Sequence, residues 1–279
     1  MKTRDANVAL GLAAGVLLAA GVIKLFGIRF EAGDVYPPYS SLRSDPLGTR
    51  VLYESLGRCR GVSVERNYLP EHGIKSDGDT AILFLGDTLP VTSMLRVLSE
   101  QGVEAVNSRV RNGARLVVTL APRNFDRPGA AAEEKTGPER MRARKAKEKE
   151  EKDAGKDKTD EEKALTSFHD WLGVDYGDFP VFGTDTAAPG KDAAPGLNLP
   201  RSLSCHTSLC FTNLSAAWKV IYTRDDKAVI IERALGRGTI VLSAMTYFVS
   251  NEAMRDERHA ALLSWLVGPK RRVIFDEYH

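Results

Sequence analysis

The sequence predicts an α/β protein, an open mostly parallel, flavodoxin-like sheet flanked by helices, behind one N-terminal transmembrane helix. Residues 8–23 carry no charge, and the apolar run continues past Lys24 to Ile28. Thr80 to Leu85 and Arg115 to Leu120 are short apolar runs of the sort that fill a sheet buried on both faces. A helical stretch lies between them, and strand, helix, strand with short connections is the unit that builds a parallel sheet.

The apolar N-terminal stretch spans about 21 residues, which at 1.5 Å rise gives roughly 30 Å of helix and crosses a bilayer. Lys24 sits near its distal end, where a long stem carries the ammonium to the interface. Ile28 to Ala32 offers no small-x-small cleavage site, so an uncleaved anchor is expected over a signal peptide. Lys2 and Arg4 precede the run while Lys24 and Arg29 accompany its far end. The free amino terminus tips that balance toward a cytoplasmic N-terminus and an extracytoplasmic domain, placing the protein in the cell membrane as a single-pass chain. The expected organisation is an anchor over 1–30 and an α/β domain over 36–279.

Within the domain, Ser44 ahead of Asp45-Pro46 marks the start of a helix that runs to about Leu56 with one apolar face. Val62 to Arg66 alternates as a strand. Thr80 to Leu85 is the next strand, Val91 to Arg111 a helix stopped by Gly113, and Arg115 to Leu120 a further strand. The pattern then breaks over 125–165, where Arg140 to Lys163 has hardly an apolar residue and reads as a solvated helix or a disordered insertion. Its acidic residues nearly match its basic ones, and the whole chain carries a net charge of only +2, so no nucleic-acid partner is expected. Asp185 to Pro200 reads as a loop. Trp218 to Thr223 and Lys227 to Arg233 form a hairpin about Asp225-Asp226, followed by a strand over Thr239 to Ser243, a helix over Asn251 to Leu266 and a last strand from Arg272. With 279 residues, 43% of them hydrophobic, there is material for one main core.

The candidate chemistry lies at the end of that last strand. Asp276, Glu277 and His279 fall at its carboxyl end, where open α/β sheets place their ligands. The two-residue period puts Glu277 and His279 on one side and Asp276 on the other. Glu277 and His279 would serve as an acid–base pair or two metal ligands, and the plainer alternative is a polar strand end making capping hydrogen bonds. Ser44, Asp87 and Asn251 fall at element ends expected on the same edge and are candidates for ligand binding, although Ser44 and Asn251 also read as helix N-caps. Cys205 and Cys210 are spaced for a short disulfide loop in an oxidising compartment. With His206 they offer three zinc donors but no fourth, so neither a metal nor a cofactor is expected, and Cys59 is left as a free thiol.

Several local motifs resemble one bacterial family of membrane-anchored proteins, domain of unknown function forty-three-fifty. They are Tyr39-Ser40-Ser41-Leu42-Arg43-Ser44 with Pro46-Leu47-Gly48-Thr49-Arg50, then Asn112-Gly113-Ala114 before Leu116-Val117-Val118, Glu232-Arg233 with Gly236-Arg237-Gly238, Ser250-Asn251, and Phe275-Asp276-Glu277-Tyr278-His279. The resemblance implies a fold similar to class I glutamine amidotransferases and a gene neighbourhood with a MoxR-type AAA ATPase and other membrane proteins. It also implies relatives that continue past the last strand into a second membrane helix, against which this chain reads as shortened. An amidotransferase needs a cysteine on a tight turn after a central strand, with a histidine and a carboxylate behind it. Here that turn reads Ala121-Pro122-Arg123. The expected function is therefore a non-catalytic, membrane-tethered interaction or ligand-sensing domain working with a MoxR-type ATPase. The alternatives are a hydrolase-like enzyme using Glu277 and His279, and an accessory subunit of a transporter.

Overall fold

The computed structural model describes residues 14–22, 24, 36–70, 73–88, 100–121, 171–179, 186–193 and 195–278. In chain order the domain runs α1 (Arg50–Gly57), β1 (Ser63–Asn67), β2 (Thr80–Thr88), α2 (Glu100–Arg111), β3 (Arg115–Ala121), β4 (Asp175–Asp178), β5 (Thr186–Pro189), β6 (Leu203–Ser204) and β7 (Leu209–Thr212). It continues through β8 (Lys219–Arg224), β9 (Lys227–Leu235), β10 (Gly238–Ser243), α3 (Asn251–Asp256), α4 (Ala260–Val267) and β11 (Arg272–Asp276). The eleven strands form one sheet in the order β1-β11-β2-β3-β10-β9-β8-β5-β6, with β7 joining β9 to β4 off that path.

This sheet is mixed, which corrects the expectation of a mostly parallel, helix-flanked sheet. Four pairings, β1 with β11, β11 with β2, β2 with β3 and β3 with β10, are parallel. The six others are antiparallel. The parallel half carries the apolar runs that the sequence advertises: every residue of β3 is buried. The antiparallel half adds short strands to the longer β8, β9 and β10: β4 has four residues, and β5 falls in the stretch that reads as a loop. Its clearest local signals are the apolar runs of β8 and β9 and the turn between them, where Asp225 and Asp226 both adopt positive φ, 47° and 61°, as a primed hairpin turn requires.

The expected transmembrane helix is not found among the described residues, where no helix is long and apolar enough to cross a membrane. Residues 14–22 are helical and exposed, and the rest of the expected anchor, Lys24 apart, lies outside the described residues. The insertion over 125–165 lies outside them too. The helix expected over Asn251 to Leu266 is broken in two, because Arg258 adopts a φ of 34° that no helix continues through.

One buried cation joins the two halves. Arg115, at the start of β3, donates from Nη1 to Glu232 Oε1 on β9 and to Thr239 Oγ1 on β10, each at 2.6 Å. Its Nε and Nη2 donate to the carbonyls of Leu266 and Trp265, two of the orphan carbonyls that end α4. Burial pulls the Arg115 pKa down and the Glu232 carboxylate pushes it back up. Removing one partner of a buried pair leaves the other uncompensated. Arg115→Met is expected to cost about 3–5 kcal/mol in chemical denaturation, and Arg115→Met with Glu232→Leu to recover part of that loss. Equal stability of the single and double variants would show that the pair does not act as a unit.

Candidate functional site

The segment 36–49 crosses the carboxyl edge of the parallel strands, and the last strand holds it there. Glu277 follows β11 and is 9% exposed. Its Oε2 accepts from Ser40 Oγ at 2.5 Å and its Oε1 from the Ser41 backbone N–H at 2.7 Å, while its own N–H donates to the Asn67 carbonyl. Asp276 accepts from Asn67 Nδ2 at 2.6 Å, and the same amide nitrogen reaches the Leu69 carbonyl. Arg66 donates to Ser41 Oγ at 2.8 Å and lays its guanidinium 3.8 Å from the Tyr53 ring centroid. Thus Glu277 and Asp276 stand at the strand end, and both are used as acceptors within the fold. His279 lies outside the described residues.

Tyr39 carries the strain of this crossing. It sits at φ 65°, and its ring lies on Gly86, itself at φ 74°, where a Cβ would overlap the ring. The Tyr39 backbone is clamped by its N–H on the Leu47 carbonyl and by Thr49 Oγ1 on its own carbonyl. Burial, with Glu252 and then Tyr247 adding to it, pushes the Tyr39 phenol up. Beneath it, the Gly86 N–H donates to Thr119 Oγ1 at 3.0 Å, and Thr246 Oγ1 reaches both Thr119 Oγ1 and the Leu120 carbonyl. Asp87 follows at the end of β2, past a shift in the β2–β3 register.

Asn251 and Ser44 come together, but not as caps of their own helices. Ser250 caps α3, accepting from the Ala253 N–H, and α1 has Thr49 at its N-cap with no side-chain bond. Asn251 does that service from 200 residues away: its Oδ1 accepts from the Val51 N–H in the first turn of α1 at 2.9 Å. Its Nδ2 donates to the Arg43 and Asp45 carbonyls. Ser44, Pro46, Val51, Asn251, Glu252, Met254, Arg255 and Arg258 line a shallow cleft of about 430 Å³ beside this junction.

The expected disulfide is absent. Cys205 and Cys210 are both buried and unbridged, and the Arg224 guanidinium faces the two sulfurs, 3.9 Å from Cys205 Sγ and 3.7 Å from Cys210 Sγ. Burial raises the Cys210 thiol, against the pull of Arg224 and then Lys227. Cys59 is exposed just beyond α1. Among the described residues no group of three His, Cys, Asp or Glu is placed to hold a metal ion. One polar group went unread: Glu257 accepts from Ser204 and contacts His259 Nε2 at 3.1 Å. The Ser204 hydroxyl is bonded to the carboxylate and not to the imidazole, so the three do not form a nucleophilic relay. No local sequence signal links Ser204 to residues 53 and more positions later.

The fold and its edge define a mixed-sheet α/β domain whose parallel half is roofed by its own N-terminal loop. The chain belongs to the family described as Domain of unknown function (DUF4350), whose model matches residues 39–267. The match begins at the strained Tyr39 and ends with α4, before β11. Among solved structures it is similar to the exo-beta-1,4-mannosidase Op5Man5 from Opitutaceae bacterium strain TAV5, at 12% identity and a TM-score of 0.38. That likeness covers 78% of this chain and 29% of the mannosidase, so the chain spans under a third of that protein. No curated protein matches the sequence.

The hydrogen-bond inventory sets two expectations for stability. Asn251→Ala orphans the Val51 N–H and two carbonyls and is expected to cost about 2–3 kcal/mol. Asn251→Asp, which turns acceptor oxygens toward the Arg43 and Asp45 carbonyls, should cost at least as much; thermal denaturation of the two variants compares them directly. Glu277→Gln keeps an acceptor for the Ser41 N–H and offers an amide hydrogen to the Ser40 hydroxyl, so about 1 kcal/mol is expected, against about 2–3 kcal/mol for Glu277→Ala. An alanine variant as stable as wild type would remove Glu277 from the framework.

Proposed function

We propose that this chain is a non-catalytic interaction or ligand-sensing domain, held at a membrane by the apolar run over residues 8–28 with the domain on the extracytoplasmic side. One observation carries the reading: both carboxylate oxygens of Glu277 fasten Ser40 and Ser41. A general base needs an oxygen within reach of the proton it takes, and here the oxygens are occupied by the protein's own donors. Asn251 is likewise committed to the backbone of 43–51. The sequence that follows β3, where the amidotransferase pattern calls for a nucleophile, begins Pro122-Arg123.

What these side chains leave for a partner is the cleft beside them, with exposed Ser44 and the charged Glu252, Arg255 and Arg258 on its walls. Arg255 is paired with Asp256 in solvent, an ion pair worth little to the fold. The partner class that the family resemblance suggests is a membrane complex with a MoxR-type AAA ATPase. A photo-crosslinking amino acid at Val51, on the cleft and 38% exposed, tests this in cells. Capture of a discrete membrane-protein partner, retained in Glu277→Gln, is the expected result. A hydrolytic activity of the purified chain on ester, amide, glycoside or phosphate probes, abolished by Glu277→Gln in a folded variant, would overturn the non-catalytic reading.

A further inference from the structure

We infer that the corner formed by Tyr36, Tyr68, Leu69 and Tyr278 is the face this domain lays against lipid headgroups, a reading that rests on the membrane attachment proposed above. Outside residues 14–22, six large hydrophobic side chains are exposed among the described residues, and four of them are these, at 42%, 55%, 57% and 40%. They meet for a definite reason. Asn67 ties the end of β1 to Asp276 and folds back onto the Leu69 carbonyl, which brings residues 68–69 beside the end of β11. Arg43 donates to the Tyr36 carbonyl at 2.9 Å, and Arg43 belongs to the segment that Glu277 secures. Burial pushes the Tyr68 phenol up, with Arg66 pulling against it and Glu277 and then the neighbouring Tyr36 adding to it.

The chemistry of the corner suits the boundary between lipid and water. Three tyrosines present apolar rings with polar tips, the side chain that sits at headgroup level. The sequence supplies the tether: only residues 29–35 separate the apolar run ending at Ile28 from Tyr36. At roughly 3.4 Å per residue, those eight steps span at most about 27 Å. The headgroup layer takes up about 5–8 Å of that distance on each side of the hydrocarbon. Tyr36 therefore cannot stand far from the bilayer, and the exposed aromatic corner is the part of the domain that shares its position.

The test uses the full chain in phosphatidylcholine–phosphatidylglycerol vesicles. In a Cys59→Ser background the remaining cysteines are buried, so Tyr68→Cys takes an environment-sensitive fluorophore, and Leu197→Cys, exposed beside β6 at the opposite end of the sheet, takes the same label as a control. Flotation with the vesicles is measured first. A floating chain whose label at 68 is quenched by headgroup-spin-labelled lipid, while the label at 197 is not, is the expected result. A floating chain whose two labels are equally unquenched overturns the inference and leaves the tether standing. A label at 68 shielded from water yet indifferent to spin-labelled lipid overturns it in favour of a second copy or a protein partner. A chain that does not float overturns the membrane reading and this inference with it.

Discussion

The carboxylate of Glu277 is the contact on which the rest of this edge depends. It takes two hydrogen bonds from residues more than 230 positions earlier, in a place where water scarcely reaches. Because a charge taken out of water must be fully compensated, the position of Ser40 and Ser41 is not adjustable. From that fixed point the backbone must turn through Tyr39 at positive φ, which presses the ring onto Gly86, and must return past Gly48, where a Cβ would overlap the Arg43 backbone. Thr49 and Asn251 then close the loop from its other side. The strain at Tyr39 persists because these contacts over-determine it.

The motif residues that carry the family resemblance acquire a physical meaning in this light. Tyr39 to Arg50, Ser250-Asn251 and Phe275 to Glu277 are three distant pieces of chain, and they are the pieces that bond to one another. Glu232 and Gly238 belong to the second junction: Glu232 faces Arg115, and Gly238 lies against the Val110 and Ala114 carbonyls with no room for a side chain. Framework requirements account for these residues without any appeal to chemistry on a substrate.

Much of the parallel half was legible because burial on both faces leaves a continuous apolar run that no loop would carry. Arg115 to Leu120 and Thr80 to Leu85 are such runs, whereas the insertion of β11 between β1 and β2 is visible only in the structure. The antiparallel half was legible only where its strands are long: Trp218 to Thr223, Lys227 to Arg233 and Thr239 to Ser243 read as strands and form β8, β9 and β10. Its strands of two to four residues, such as Leu203–Ser204, are too short to show a period. The site was half visible. A polar strand end at Asp276 and Glu277 is readable, and so is a cap-like Ser or Asn, but which donor meets which acceptor across 237 residues is decided by tertiary packing alone. Asn251 shows the point: read as the cap of its own helix, it caps another one.

The place of β11 bears on how such a chain is made. The last strand in the sequence lies between β1 and β2 in the sheet. At ribosomal rates of about 5–20 residues per second, the interval between the synthesis of β1 and that of β11 is roughly 10–40 s. Throughout it β1 has no sheet partner and one edge of β2 stands open, so the nascent chain offers unpaired strand edges until β11 emerges. Synthesis of β11 is thus a physical condition for closing the sheet, and a chain ended before it would present an open edge that a chaperone or protease can engage.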